Sequence, residues 1–258
     1  MNAIDMSHCR PLVVFLIALG LPVSAHAQTR VLDAFDDPST WKVVTSNQVT
    51  ASLRTVTGAD GGKALCLDYD YHGVSGYAGL QRQVALDYPD NYRFDFQLRG
   101  ASPANDLQFK LTDASGDNVW WVNRPAYDFP GEWTPVTYRK RQIDKAWGPD
   151  PDKTLRHSAK LEYTIYNNAG GKGSVCFDAL TFTALPPQDT SPLTGSASAS
   201  TANGGSSAAL AVDGNPDTAW YADFDAATPP QLTLDLHSVR EFGGLKLVWK
   251  PGEQASDY

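Results

Sequence analysis

An all-β fold follows from three features of the sequence. Apolar and polar residues alternate with period two in several short runs. Aromatic residues make up 11% of a chain that also carries 21 Gly and 17 Pro. No stretch shows sustained helical periodicity, so no helix is predicted. Runs of this kind, bounded by turn residues, build an antiparallel sandwich with one dry and one wetter face per sheet.

The N-terminus precedes that pattern. Leu12 to Val23 is an apolar run, preceded by His8 and Arg10 and followed by Ser24-Ala25-His26-Ala27. A basic flank, a short apolar segment and a small-x-small end read as a secretory signal over residues 1–27. The run falls short of the ~20 residues a membrane span needs, so the chain is not expected to cross a membrane. It is expected to be secreted or periplasmic.

The alternating runs come next, in residues 28–185. Leu65, Leu67, Tyr69 and Tyr71 alternate with Cys66, Asp68 and Asp70. Tyr92, Phe94, Phe96 and Leu98 alternate with Arg93, Asp95, Gln97 and Arg99. Leu107, Phe109 and Leu111 alternate with Gln108 and Lys110. Turn chemistry separates them at residues 58–62, 100–105, 113–117 and 167–173. Residues 186–195 open a stretch rich in Pro, Ser, Thr, Ala and Gly without an aromatic, which reads as a linker. Residues 196–258 then hold two more strand patterns, Leu232 to Leu236 and Leu245 to Trp249.

Charge and cysteine usage narrow the function. The formal net charge is -8, with 21 basic against 29 acidic residues, which argues against nucleic acid as a partner. Of three cysteines, Cys9 lies in the signal, leaving Cys66 and Cys176. Cys66 is on the outward register of its run, and Cys176 lies between inward Val175 and Phe177. The two are placed to meet as a cross-strand disulfide on one sheet face, with two free thiols as the alternative.

Trp120, Trp121, Trp133 and Trp147 cluster with Tyr127, Phe129 and Tyr138 in one part of the chain. Flat rings with a few oriented polar groups suit sugar rings and their hydroxyls. Adjacent Trp120 and Trp121 in one strand point to opposite faces, so one is core and the other a candidate platform. Trp120, Trp121 and Trp147 are the candidate stacking residues, and the alternative is that all four tryptophans are core or loop-packing residues. Asp68, Arg93, Gln97, Gln108 and Lys110, outward on their strands, are the candidate polar partners, forming one belt where their strands are neighbours. Asp70 and Asp95 belong to the same belt, and a solvated sheet face is the alternative for all seven.

At this point the sequence resembles known families. Ala208-Ala209-Leu210-Ala211-Val212-Asp213-Gly214-Asn215-Pro216-Asp217-Thr218-Ala219-Trp220 is similar to the opening of a discoidin domain, also called the factor 5/8 type C domain. Gln231 to Leu236, Phe242 to Trp249 and Ala255 to Tyr258 fit its continuation. The resemblance implies a jelly roll of roughly eight strands, of which residues 196–258 supply only a beginning. The chain is thus expected to be the N-terminal part of a longer exported protein, with a partial second β-sandwich. Residues 28–185 resemble, more loosely, galactose-binding-like jelly rolls of bacterial carbohydrate-binding modules. Asp33 to Asp37 with Trp41 are similar to their first strand, and Gly173 to Phe182 to their last.

The resemblances also imply calcium. Asp213 and Thr218 match discoidin-type positions that hold a structural ion, and Asp36 and Asp178 sit where related jelly rolls hold one. The composition agrees: residues 28–258 carry 24 Asp but 4 Glu, with Asp in turn-like segments that suit calcium's oxygen ligands. Metal-free turn caps are the alternative. Catalytic motifs are poor. His72, His157 and His237 lie in no nucleophile signature, HExxH and CxxC are absent, and Glu132 and Glu162 are not placed by sequence as a glycosidase pair. The expectation is a monomeric, non-catalytic protein that attaches to polysaccharide. A protein- or lipid-binding adhesion module is the alternative.

Overall fold

The computed structural model describes residues 27–191, 195–222, 229–238, 240, 242 and 244–252. The apolar run of the expected signal, and Cys9 within that segment, lie outside the described residues. No helix among the described residues is long and apolar enough to cross a membrane.

Two six-stranded antiparallel sheets dominate. The first holds β1 (Gln28–Asp33), β3 (Thr50–Thr57), β4 (Lys63–Asp70), β6 (Tyr92–Ala101), β9 (Thr134–Arg139) and β12 (Lys172–Ala184). Its order is β3-β4-β12-β6-β9, with β1 pairing the C-terminal part of β12. The second holds β2 (Lys42–Thr45), β5 (Tyr77–Asp87), β7 (Asp106–Thr112), β8 (Val119–Arg124), β10 (Asp144–Trp147) and β11 (His157–Tyr166), in the order β10-β8-β7-β11-β5-β2. Sequence neighbours repeatedly fall in opposite sheets, as the sandwich reading requires.

The alternation seen in the sequence sets the layers. Phe94, Phe96 and Leu98 from β6 face Leu107, Phe109 and Leu111 from β7 and Leu161, Tyr163 and Ile165 from β11, all buried. Phe96 stands edge-on to Tyr163 at 5.1 Å, and Tyr163 stacks on Phe177 at 4.2 Å, which closes the gap between sheets. Such ring pairs contribute ~0.5–1.5 kcal/mol each beyond their buried area.

Asp33 ties the sheets at one end. It is 8% exposed, accepts the Trp41 indole N–H at 3.0 Å and pairs with Arg82 of β5. The Arg82 guanidinium also donates to the Leu32 carbonyl at 3.1 Å. A buried charge is tolerated only when paired and hydrogen-bonded, and this one is both.

Cys66 and Cys176 are directly paired on β4 and β12 and form a disulfide across 110 residues. In the C-terminal segment, β13 (Ser196–Ala199) pairs β14 (Leu232–Asp235) as a two-stranded sheet. The strand expected over Leu245 to Trp249 does not form: this segment belongs to no sheet among the described residues, and Leu245 and Val248 are 69% and 77% exposed. Apolar pattern supplies strand propensity, but a ladder also needs a neighbouring strand.

Candidate functional site

The outward face of the second sheet is organised in rows, because register holds straight across it. One row runs Asp144, Trp121, Lys110, Glu162, Gln81, Lys42, one residue from each of β10, β8, β7, β11, β5 and β2. At ~4.8 Å per strand this row is roughly 24 Å long. The neighbouring row is Asn123, Gln108, Thr164, Gly79, Val44, and beyond it Tyr166 pairs Tyr77.

The middle row is low. Gly79 carries no side chain, and an added Cβ would stand 2.8 Å from the Tyr163 carbonyl oxygen. Thr164 is fully buried and Gln108 nearly so, roofed by the longer residues on either side. Lys110, Glu162 and Gln81 flank this row on one side and Tyr77 and Tyr166 on the other, and the longer side chains cover its buried centre.

Lys110, Glu162, Gln81 and Thr164 form one hydrogen-bonded network. The Glu162 carboxylate accepts the Lys110 ammonium at 3.1 Å, the Thr164 hydroxyl at 2.6 Å and the Gln81 amide at 2.9 Å. Lys110 also donates to Thr164 at 3.0 Å and lies 5.6 Å from the Tyr77 ring centre. These contacts fix each polar head before any ligand arrives, which is what a site recognising oriented hydroxyls needs.

Rings stand at one end of the row. Trp121 and Trp147 meet edge-to-face at 5.6 Å at the β8–β10 edge, with Trp147 half exposed. The loop after Trp147 is held in place from β8 and β10. Lys145 donates to Asn118 Oδ1 at 3.2 Å, to the Asp152 carbonyl at 3.3 Å and to the Asp150 carbonyl. Asp150 N–H also reaches Asn118 Oδ1, at 3.0 Å. Gly148 has a φ of +128°, and an added Cβ would stand 2.4 Å from Asn118 Oδ1, so only glycine lets the chain pass so close.

The structure brings four of the sequence-expected contacts onto this face: Trp121, Trp147, Gln108 and Lys110. It does not bring the others. Trp120 is 4% exposed, packed into the core with its indole N–H on the Lys153 carbonyl at 2.7 Å, and is no platform. Asp68, Arg93 and Gln97 lie on β4 and β6, so they face outward from the opposite sheet. The single belt does not exist, because its strands belong to two layers. On that far side Asp68 is taken up by Arg54 at 2.9 Å and by Ser174 at 2.5 Å. Burial pushes its pKa up, but these two hydrogen bonds outweigh it and hold the carboxyl below its ordinary value. Arg93 pairs Asp95 at 2.8 Å.

Glu162, Thr164, Gln81, Tyr77 and Tyr166 were not picked out as binding residues from sequence. The signal was present in β11, where Leu161, Tyr163 and Ile165 alternate with Glu162, Thr164 and Tyr166. Only pairing with β7 puts that polar register beside Lys110.

The calcium candidates differ in geometry. Asp178 is 4% exposed and accepts the Ala59 N–H at 2.7 Å. Burial raises its pKa above the ordinary value, and the negative fields of Asp60 and Asp36 raise it further. A buried carboxylate facing like charge fits a cation. Asp213 instead caps its own turn, accepting the Thr218 hydroxyl at 2.7 Å and the Asn215 N–H at 2.9 Å. Among the described residues no cluster of three or more His, Cys, Asp or Glu converges on one point.

Comparison with known proteins places both parts of the chain. Residues 195–258 match the F5/8 type C domain family. No curated protein matches the chain. Among solved structures, the family 11 carbohydrate-binding module of the cellulosomal cellulase Lic26A-Cel5E of Clostridium thermocellum is similar at 16% identity and a TM-score of 0.50, covering 60% of this chain and 94% of that one. CtCBM11, studied in solution, is similar at 18% identity and a TM-score of 0.50, covering 64% of this chain and 99% of that one. The two large sheets thus share the jelly-roll fold of these carbohydrate-binding modules, and residues 195–258 carry the F5/8 type C pattern.

Proposed function

We propose that the chain is an exported, non-catalytic glycan-binding protein whose binding surface is the outward face of the second sheet. A glycan chain lies across the strands of this face, stacks on Trp121 and Trp147 at one end and on Tyr166 and Tyr77 beside its course, and is read by Glu162 and Lys110, which Thr164 holds from below. The observation that carries this reading is the unbroken register row from Asp144 to Lys42, with rings beside it and every polar head near its centre already held. Jelly-roll likeness to carbohydrate-binding modules supports it, and a disulfide fits an oxidising compartment.

Glu162 is the one carboxylate in this network, and its partners are Lys110, Gln81 and Thr164. A glycosidase needs a second carboxyl across the scissile bond, so attachment is the better reading. The organisation we propose is a leader over residues 1–27, a binding domain over 28–185, a linker over 186–195 and the start of an F5/8 type C module. Asp178 and Asp36 are the residues that would hold a calcium ion, which would serve structure alone.

Titration of the whole chain with a panel of soluble polysaccharides, by affinity electrophoresis and calorimetry, tests the function. Binding that Trp121→Ala weakens by about 10- to 100-fold is expected. Binding that survives loss of both Trp121 and Trp147, or none to any glycan, would overturn the reading.

A further inference from the structure

Strand lengths leave a notch at one end of the face. β5 has 11 residues and its edge partner β2 has 4. β2 begins at Lys42, opposite Gln81, so Arg82 and Gln83 have no strand beside them on that edge. The turn at residues 38–40 folds across the gap, leaving a cavity of about 160 Å³ bounded by Thr40, Lys42, Gln81, Arg82 and Gln83. That is well below the ~300 Å³ at which sites for drug-sized ligands begin, and leaves room for one ring.

The notch is rich in donors and lined by no carboxylate. Lys42 is exposed and makes no ion pair among the described residues. Arg82 spends part of its guanidinium on Asp33 and the Leu32 carbonyl, behind the notch. The Gln81 amide donates to Glu162, and Gln83 stands exposed next to it. In a chain of net charge -8, a concavity with an unpaired ammonium and no acid is a local reversal of sign. A neutral sugar would use these donors weakly, whereas an anionic group gains charge-assisted hydrogen bonds.

We propose that this notch binds one acidic sugar residue, its carboxylate or sulfate ester paired with Lys42 and reached by Gln83, at the end of the row that a glycan chain follows. The sugar part of this inference rests on the proposed function; the preference for an anion rests on the donor set. The ligand class is therefore a glycan bearing sparse acidic residues. A dense polyanion would be repelled by the rest of the surface.

The test follows amide chemical shifts of the whole chain during titration with glucuronic acid, glucose 6-sulfate, glucose and inorganic sulfate. Shifts confined to residues 39–42 and 81–83 are expected with one or both acidic sugars and not with glucose. Whichever acid binds identifies the anion. Lys42→Met should weaken that binding at least tenfold, as should about 0.5 M NaCl. Equal binding of glucose, an unchanged Lys42→Met variant, or shifts elsewhere would overturn the proposal. Inorganic sulfate binding as tightly as the sugars would reduce the notch to an anion site and overturn its sugar specificity. Trp121→Ala separates the two readings, since it should weaken neutral oligosaccharide binding about 10- to 100-fold and leave that of the acidic monosaccharide unchanged. Acid binding in the notch of a wild type that binds no oligosaccharide would sink the proposed function alone.

Discussion

Glu162 and Lys110 form an ion pair at 3.1 Å in the middle of the outward face, with each side chain 14% exposed. They sit directly opposite on β11 and β7. Removing one partner leaves the other charge half-desolvated, so the single changes should cost more than the double. Glu162→Ala is expected to destabilise the chain by about 2 kcal/mol, and Glu162→Ala with Lys110→Ala by less. Urea melts of the three proteins check this, and both single variants should also lose glycan binding.

Trp121 and Trp147 should behave as the binding hot spot. Each change to Ala is expected to lower glycan affinity by 10- to 100-fold, about 1.4–2.8 kcal/mol, with thermal stability nearly unchanged because neither ring is in the core. Calorimetric titration reads the first effect and a thermal melt the second. Trp120→Ala, at the neighbouring position, should do the reverse and cost ~3–5 kcal/mol of stability.

Lys145 should act through Trp147. Lys145→Met removes the donor that gathers Asn118 and the carbonyls of Asp150 and Asp152, freeing the loop that starts at Gly148. Glycan affinity is expected to fall about tenfold, and Trp147→Ala added to it should cost little more. An additive double mutant would show that Lys145 does not position the ring. The edge-to-face Trp pair should also give an exciton signal in circular dichroism that Lys145→Met reduces.

Reduction of the Cys66–Cys176 bond should cost stability through the unfolded state. The bond spans 110 residues, and closing a loop of that length is worth about 4–5 kcal/mol in the chain-entropy account. Denaturant midpoints with and without reductant measure it. The sheet ladder on either side should keep the reduced chain folded in mild buffer.

Asp178 should make stability fall as pH rises. Burial raises its native pKa above the ordinary 3.8 of an aspartate, so the native state binds more protons than the unfolded one between those two values. Stability then declines across that window and stays lower above it. In chelator at neutral pH, Asp178→Asn is expected to melt at or above the wild-type temperature. Added calcium should raise the wild-type melting temperature and not the variant's.

Much of the sandwich was legible because alternation is a local property. The runs around Leu65, Phe94 and Phe109 name their own buried residues, and each is buried in the fold. The Cys66–Cys176 contact followed from the same register. Leu245 to Trp249 had the pattern without, among the described residues, the neighbour that makes a strand. The belt failed for a similar reason. Asp68, Gln97, Gln108 and Lys110 are all outward on their strands, but outward from which sheet is not written in any one strand.

The sequence by itself determined that this chain folds as β-strands with aromatic cores, that Cys66 and Cys176 share a face, and that the two adjacent tryptophans point to opposite faces of their strand. These are consequences of period-two geometry acting within a few residues. Strand order was decided only in three dimensions. It put β7 beside β11 and β8, and so placed Glu162 against Lys110 and Trp121 at the head of the same row. It also left β5 longer than its edge partner. A hydrogen-bonded ladder joins residues far apart in the chain, and no local pattern specifies which strands will be neighbours.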